Sequence, residues 1–257
     1  MILGDDILLE ARGIVKHFAG LVALNGVDFT VRYGDLLGLI GPNGAGKSVM
    51  VNIITGLYAP TEGSVFYHNE NITGLRPDVI ANKRITRTFQ ISTLFFDLSV
   101  IDNISMGVRT TSEVGFWEGI FKTRSNREKD QKIRQQAEHI IELLHLNRQA
   151  HEYARNLPYG LQKVVAIGIA LAGNPELLIL DEPLTGLITS EAEEVMARID
   201  GLHRQGLTVM IIEHNMRAVM GHCNRIVALN FGNKIAEGTP AEIRKNREVI
   251  KSYLGGP

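Results

Sequence analysis

Apolar residues in this chain gather into several short solid runs, each closed by glycine or by polar residues. Leu36-Leu37-Gly38-Leu39-Ile40, Leu177-Leu178-Ile179-Leu180 and Leu207-Thr208-Val209-Met210-Ile211-Ile212 predict buried strands, because each is short and apolar. Ile7 to Ala11, Val27 to Val31 and Ser64 to Tyr67 also have strand character, with turns at Tyr33-Gly34-Asp35 and Pro60-Thr61-Glu62-Gly63. Ile85-Thr86-Arg87-Thr88-Phe89-Gln90 is a further β-branched run. Val49 to Ile54 predicts a helix stopped by Gly56. Ser92 to Gln162 predicts mainly helix, with apolar positions at 137, 140, 141 and 144 marking one amphipathic face. A second helix opens at Asn156-Leu157-Pro158-Tyr159-Gly160 and runs to about Ala172; Pro158 near its start gives up an N–H that would be unpaired there anyway. Its interior, Val164 to Leu171, is apolar all round and is predicted buried, while its N-terminus can present N–H groups to an anion.

The chemistry of the chain is concentrated in Leu39-Ile40-Gly41-Pro42-Asn43-Gly44-Ala45-Gly46-Lys47-Ser48. This is the G-x-x-x-x-G-K-S spacing of a phosphate-binding loop (Walker A), set between a predicted strand and a predicted helix as that loop requires. Glycines at 41, 44 and 46 let the backbone curl so that successive N–H groups face phosphate oxygens, and the helix adds its positive end. Lys47 supplies a charge for the β- and γ-phosphates, and the Ser48 hydroxyl suits a Mg²⁺ ligand. ATP or GTP binding follows, on an α/β fold of the P-loop NTPase kind.

Composition narrows the picture. The chain has 257 residues, 44% of them apolar and 21% charged, as in an ordinary globular protein with one large core or a core with an insert. A net charge of −1 gives no electrostatic argument for nucleic acid. One cysteine, Cys223, excludes an internal disulfide framework and fits a reducing cytosol. The acidic start, Met1 to Asp6, does not read as a signal peptide. The longest apolar run, Val164 to Gly173, falls short of the roughly 18 residues that span a bilayer, so a membrane role would come through a partner chain.

Three further places carry candidate chemistry. Leu177 to Leu180 ends in Asp181-Glu182-Pro183, carboxylates at the strand tip where ligands sit in an open α/β sheet. Asp181 suits the Mg²⁺ shell (Walker B) and Glu182 suits deprotonating the attacking water; a capping Asp-Glu-Pro turn is the plainer alternative. His214, after the strand ending at Ile212, either hydrogen-bonds a γ-phosphate or is incidental. Phe18, in Lys16-His17-Phe18, either stacks on adenine or plugs the small β-layer. The charge-rich stretch from Thr110 to Asp130, with Phe116-Trp117 and Ile120-Phe121, reads as a solvated segment with tucked aromatics, or as contact with a membrane surface or membrane partner.

The order of phosphate loop, Gln90, Leu157-Pro158-Tyr159-Gly160, Leu180-Asp181-Glu182-Pro183 and His214 resembles the nucleotide-binding subunit of an ABC transporter, over essentially the whole chain. Within that family it resembles the longer ATPase of branched-chain amino-acid importers, on Arg87-Thr88-Phe89-Gln90, Ile212-Glu213-His214-Asn215-Met216 and Glu237-Gly238-Thr239-Pro240 leading to Tyr253-Leu254-Gly255. The resemblance implies one nucleotide-binding domain over 1–257: β-layer and first part of a RecA-like core over 1–91, inserted α-helical subdomain over 92–162, remainder over 163–257. It implies ATP and Mg²⁺ as cofactors, with Phe18, residues Gly41 to Val49 and a neighbour's Pro158, Tyr159 and Gly160 around the nucleotide. Ser48, Gln90 and Asp181 would serve the metal; Glu182, His214, Lys47 and Gln90 would serve hydrolysis. Partners implied are a second cassette, integral membrane permeases docking near Gln90 and Leu94-Phe95-Phe96, and indirectly an extracytoplasmic solute-binding protein. The implied place is the cytoplasmic face of the membrane, and the implied cargo a branched-chain amino acid or a related urea, amide or aromatic acid.

Several positions depart from the family pattern. Pro158 stands for the signature serine, Leu161 for a polar residue, Val49 for the usual Thr, and Ile188 for the Asp or Asn that ends the loop after Glu182. These touch mostly what the chain offers its neighbour's ATP, so unequal sites are expected with a different partner cassette. Alternative functions are a soluble DNA-maintenance ATPase, against which the absence of sustained heptads speaks, a translation-associated cassette, which usually has two cassettes per chain, and a degenerate ATP-binding module.

Overall fold

The computed structural model describes residues 6–88, 94–111 and 124–254. Along the chain run β1 (Ile7–Phe18), β2 (Leu21–Arg32), β3 (Leu36–Ile40), α1 (Lys47–Ile54), β4 (Glu62–Tyr67), β5 (Glu70–Asn71), α2 (Pro77–Asn82) and β6 (Ile85–Thr88). There follow α3 (Val100–Thr111), α4 (Arg124–Leu143), α5 (Tyr159–Leu171), β7 (Leu177–Asp181), α6 (Thr189–Arg204), β8 (Thr208–Ile212) and α7 (Met216–His222). β9 (Arg225–Asn230), β10 (Asn233–Gly238), α8 (Pro240–Lys245) and α9 (Arg247–Leu254) complete it. These elements divide into two compact units.

The first unit takes the described residues up to Arg87, Glu176–Pro183 and those from His203 onward. It holds two sheets. An antiparallel layer has the order β2-β1-β4-β5, and a six-stranded sheet the order β10-β9-β3-β8-β7-β6. In the second, β3 lies parallel to both β8 and β9, and β7 parallel to β8, while β10 returns antiparallel on β9. Every residue of β3, β7 and β8 is buried, as the solid apolar runs predict for strands covered on both faces. One apolar core joins the antiparallel layer (Leu9, Phe29), helix α1 (Met50, Ile53) and the six-stranded sheet (Leu39, Met210). On β3, Gly38 is packed too closely to carry a side chain: an added Cβ would lie 2.7 Å from Val219 and 3.2 Å from the Cys223 sulfur. Cys223 is itself buried.

The second unit is helical and comprises the described part of Thr88–Pro175 together with Leu184–Leu202. It reaches beyond the 92–162 expected of the helical insert, for two reasons. Helix α5 continues as one apolar rod to Leu171, packing its Gly168 against Ile104 and Leu144. Helix α6 then adds to it, with Arg198 Nε donating to the Leu144 carbonyl at 3.1 Å. Helix α4 buries Ala137, Ile140 and Ile141, and Leu144 just past its end is buried with them, as predicted; Ile133 extends the same face. Asn103, fully buried on α3, fixes the preceding loop: its Oδ1 accepts from the Phe95 N–H and its Nδ2 donates to the Phe95, Leu98 and Ser99 carbonyls.

Candidate active site

The phosphate loop is shaped by its neighbours in the first unit as much as by its own residues. Gly41 has φ +152°, and a Cβ there would stand 2.3 Å from the Leu229 carbonyl oxygen of β9. Gly46 has φ +102°, and a Cβ there would stand 2.7 Å from the Ala23 carbonyl oxygen of β2. Both positions therefore admit glycine alone. The turn between β9 and β10 closes the clamp: Gly232 N–H donates to the Ala45 carbonyl at 3.1 Å, and Asn25 N–H donates to the Gly232 carbonyl at 2.8 Å. Burial pushes the hydroxyl of Tyr253, on α9, up to about 12, with the backbone of Gly41 acting in the other direction.

Lys47, the first residue of α1, is buried and folds its ammonium back, donating to the Gly41 carbonyl at 2.6 Å and the Pro42 carbonyl at 3.1 Å. Burial lowers its proton affinity below that of an ordinary lysine, while the carboxylates of Glu182, Asp181 and Glu213 act in the other direction. Three acids at or next to the strand tips thus lie near enough for their charge to act on one cation.

Each acid is fixed differently. Asp181 closes β7 and accepts from Arg87 of β6 at 2.6 Å; the same guanidinium reaches Asn52 Oδ1 of α1 at 2.6 Å. Glu182 sits in the left-handed region at φ +49°, unusual for a side-chain-bearing residue, and its N–H is held by the Ile212 carbonyl at 2.9 Å. Glu213 is wholly buried, and its carboxylate accepts from the N–H groups of His214 and Asn215 at 3.1 and 3.3 Å. That pins the backbone from which the exposed His214 imidazole projects.

A cleft of about 510 Å³ brings the predicted residues together. Phe18, Asn43, Gly44, Ala45, Gly46, Lys47, Ser48, Val49 and Glu182 line it, with Leu21, Val22 and Ala23. Phe18 is 38% exposed on this wall and does not belong to the buried core of the β-layer, so it does not act as a plug. Gly41 and Pro42 face Lys47 through their carbonyls; neither they nor Asp181 nor His214 line the cleft. Gln90 lies outside the described residues, as do Phe89 and most of the 110–130 segment, residues 112–123.

The signature residues belong to the second unit. Pro158 caps α5, Tyr159 is 43% exposed, and Gly160 is buried with Glu191 close enough that a Cβ would lie 3.3 Å away. Ile188 is 66% exposed, and its N–H donates to Glu191 at 3.2 Å. Sequence reasoning missed Arg87 as a partner of Asp181 and Glu213 as the anchor of His214. An arginine in a β-branched strand and an acid inside an otherwise apolar strand end are the signals that point to them.

A strand, glycine-rich loop and helix holding a buried lysine beside strand-tip carboxylates define a P-loop nucleotide-binding ATPase. The ABC transporter family model matches residues 24–185, and the branched-chain amino acid ATP-binding cassette transporter model matches residues 233–257. The chain is 38% identical over 249 residues to the high-affinity branched-chain amino acid transport ATP-binding protein BraF of Pseudomonas aeruginosa, covering 96% of this chain and 98% of that protein. It is likewise 38% identical over 251 residues to LivG of Salmonella typhimurium, a protein of the same description, covering 96% and 98%. The crystal structure of the ADP conformation of an ATP-binding cassette of an ABC transporter matches with a TM-score of 0.85 at 30% identity, covering 97% of this chain and 99% of that one. The chain belongs to the ABC transporter family of ATP-binding cassettes, and is an ATPase. Among the described residues no helix is long and apolar enough to cross a membrane.

Proposed function

We propose that this chain is the ATP-hydrolysing subunit of an importer for branched-chain amino acids or a related small solute (urea, an amide or an aromatic acid), acting through integral membrane permeases at the cytoplasmic face. The observation that carries the reading is the cleft in which Glu182 shares walls with Lys47, Ser48 and the curled loop. ATP lies with its adenine against Phe18 and its phosphates over Gly41 to Val49. The loop N–H groups, the positive end of α1 and Lys47 balance the charge of the phosphates. Glu182 takes the proton of a water aligned for in-line attack on the γ-phosphorus, and His214 and Gln90 hold that water and the γ-phosphate in register.

The donors also fit a magnesium ion. Ser48 and the Asp181 carboxylate offer hard oxygens, the kind a magnesium ion takes along with phosphate oxygens and water. Ser48, Gln90 and Asp181 would hold Mg²⁺, which supplies charge neutralisation between the β- and γ-phosphates.

A second cassette, identical or not, closes over the nucleotide and contributes the region that corresponds to Pro158, Tyr159 and Gly160 of this chain. The solute-binding protein acts indirectly through the permeases, and nucleic acid has no part. The test is reconstitution of the chain with its co-purifying membrane proteins in vesicles, followed by phosphate release with and without binding protein loaded with leucine, urea or an aromatic acid. Stimulation by one of these names the cargo class; phosphate release that neither the membrane proteins nor any loaded binding protein changes overturns the importer reading.

A further inference from the structure

Phe18 stands at the tip of the β1–β2 hairpin, directly before the turn at Ala19 and Gly20, where a strand end has little of its own to hold it. Its ring is met by one residue far along the sequence and by another close at hand. The Tyr58 ring meets it edge-on, with centroids 5.4 Å apart and planes at 74°. Lys16 Nζ lies 5.0 Å from the Phe18 centroid and 5.9 Å from that of Tyr58. The lysine is not loose, since it donates to the Ala59 carbonyl at 2.7 Å.

The segment around Tyr58 is stitched on both sides. Tyr58 N–H donates to the Asn52 carbonyl of α1 at 3.0 Å, which ties it to the helix that begins with Lys47 and Ser48. Thr61 N–H donates to the Val15 carbonyl at 2.8 Å, and its hydroxyl accepts from the His17 N–H at 3.1 Å, which ties it to β1. Tyr58 itself is absent from the cleft wall that Phe18 lines. It touches the wall residue and not the space in front of it.

We infer that Tyr58, with Lys16, is a positioning residue for the base of the nucleotide: it braces Phe18 and sets its distance from the phosphate loop through the C-terminal end of α1. The inference rests on the reading of Phe18 as the adenine platform. Edge-to-face aromatic pairs contribute beyond the area they bury, and the cation fixes the two rings as a unit. Because the brace springs from the helix that cradles the phosphates, base and phosphates are gripped at a fixed separation.

The test compares two probes by calorimetry on the full chain: ATP, and inorganic tripolyphosphate, which has no base. Tyr58→Ala should raise the Kd for ATP about three- to tenfold and leave that for tripolyphosphate unchanged. Tyr58→Phe, which keeps the ring, should restore the parent value. Tyr58→Leu, which keeps apolar bulk, should behave as Tyr58→Ala. Equal weakening of both probes would make Tyr58 a support of α1 only, and parent-like ATP binding by Tyr58→Ala would remove the brace; either result overturns the inference. Phe18→Ala separates the two levels. If it binds ATP as the parent does, the adenine platform itself falls; if it weakens ATP while Tyr58→Ala does not, only the brace falls.

Discussion

Arg87 and Asp181 form a buried ion pair, 2.6 Å apart, on the neighbouring strands β6 and β7. The arginine side chain is 10% exposed and the aspartate 3%, and the guanidinium also bonds Asn52 of α1. One side chain thus ties the Walker B strand to the helix of the phosphate loop. Arg87→Met removes the guanidinium bonded to a buried carboxylate and should cost about 3 kcal/mol in urea unfolding, because the desolvation of Asp181 is then less well compensated. Adding Asp181→Leu should recover most of that stability. No recovery in the double variant would mean that Asn52, rather than Asp181, is what the arginine serves.

Glu182→Gln should leave ATP affinity near that of the parent while phosphate release falls by about 10²- to 10⁴-fold, the usual contribution of a positioned base. Binding and turnover measured on the same preparation decide it. Turnover close to the parent would remove Glu182 from proton transfer.

Lys47 gives a pH-dependent signature in the absence of nucleotide. Its folded pKa lies below its unfolded one, so the unfolded state holds the proton more tightly and stability rises with pH across the interval between the two values. Lys47→Met removes that term. The variant should melt above the parent at neutral pH without nucleotide, and the gap should close as pH approaches that of a free lysine, about 10.4. With ATP present the order should reverse, because the variant, lacking the ammonium, gains much less from the ligand.

Gly41→Ala and Gly44→Ala separate close approach from backbone strain. Gly44 has φ +80° but open space around it, so alanine there should cost the folded chain about 1–2 kcal/mol. Gly41→Ala adds a clash with the Leu229 carbonyl on top of its own φ and should melt well below Gly44→Ala. Thermal melts without nucleotide would check the order.

Ile188 is exposed, so Ile188→Asp should shift stability by no more than about 0.5 kcal/mol. In a homodimer it should raise ATP turnover if the aliphatic residue weakens the neighbouring site. A fall in turnover would count against unequal sites.

How far the sequence spoke depends on how local each feature is. The loop from Gly41 to Ser48 is legible because its glycines, lysine and serine act within one turn of backbone and have few substitutes. The strands Leu36–Ile40 and Leu177–Asp181 are legible because burial on both faces demands unbroken apolar residues. Asp181 and Glu182 follow from the strand tip. What escaped were contacts made across the chain, Arg87 to Asp181 and Tyr58 to Phe18. Each joins side chains whose individual types are ordinary, and only the tertiary fold brings them together. Helix α6 shows the same limit, since its membership of the helical unit depends on Arg198 and Glu191 finding α5 and its neighbours rather than on any break in the pattern.

The packing of Cys223 behind Gly38 has a practical consequence. The chain's one thiol is sealed under the central strand, where labelling reagents do not reach it. A cysteine introduced at an exposed position such as Ser190 therefore becomes the sole reactive handle, with no prior surgery on the interior. Spin labels or fluorophores placed this way can time the closing of two cassettes directly, in a protein whose native sulfur stays silent.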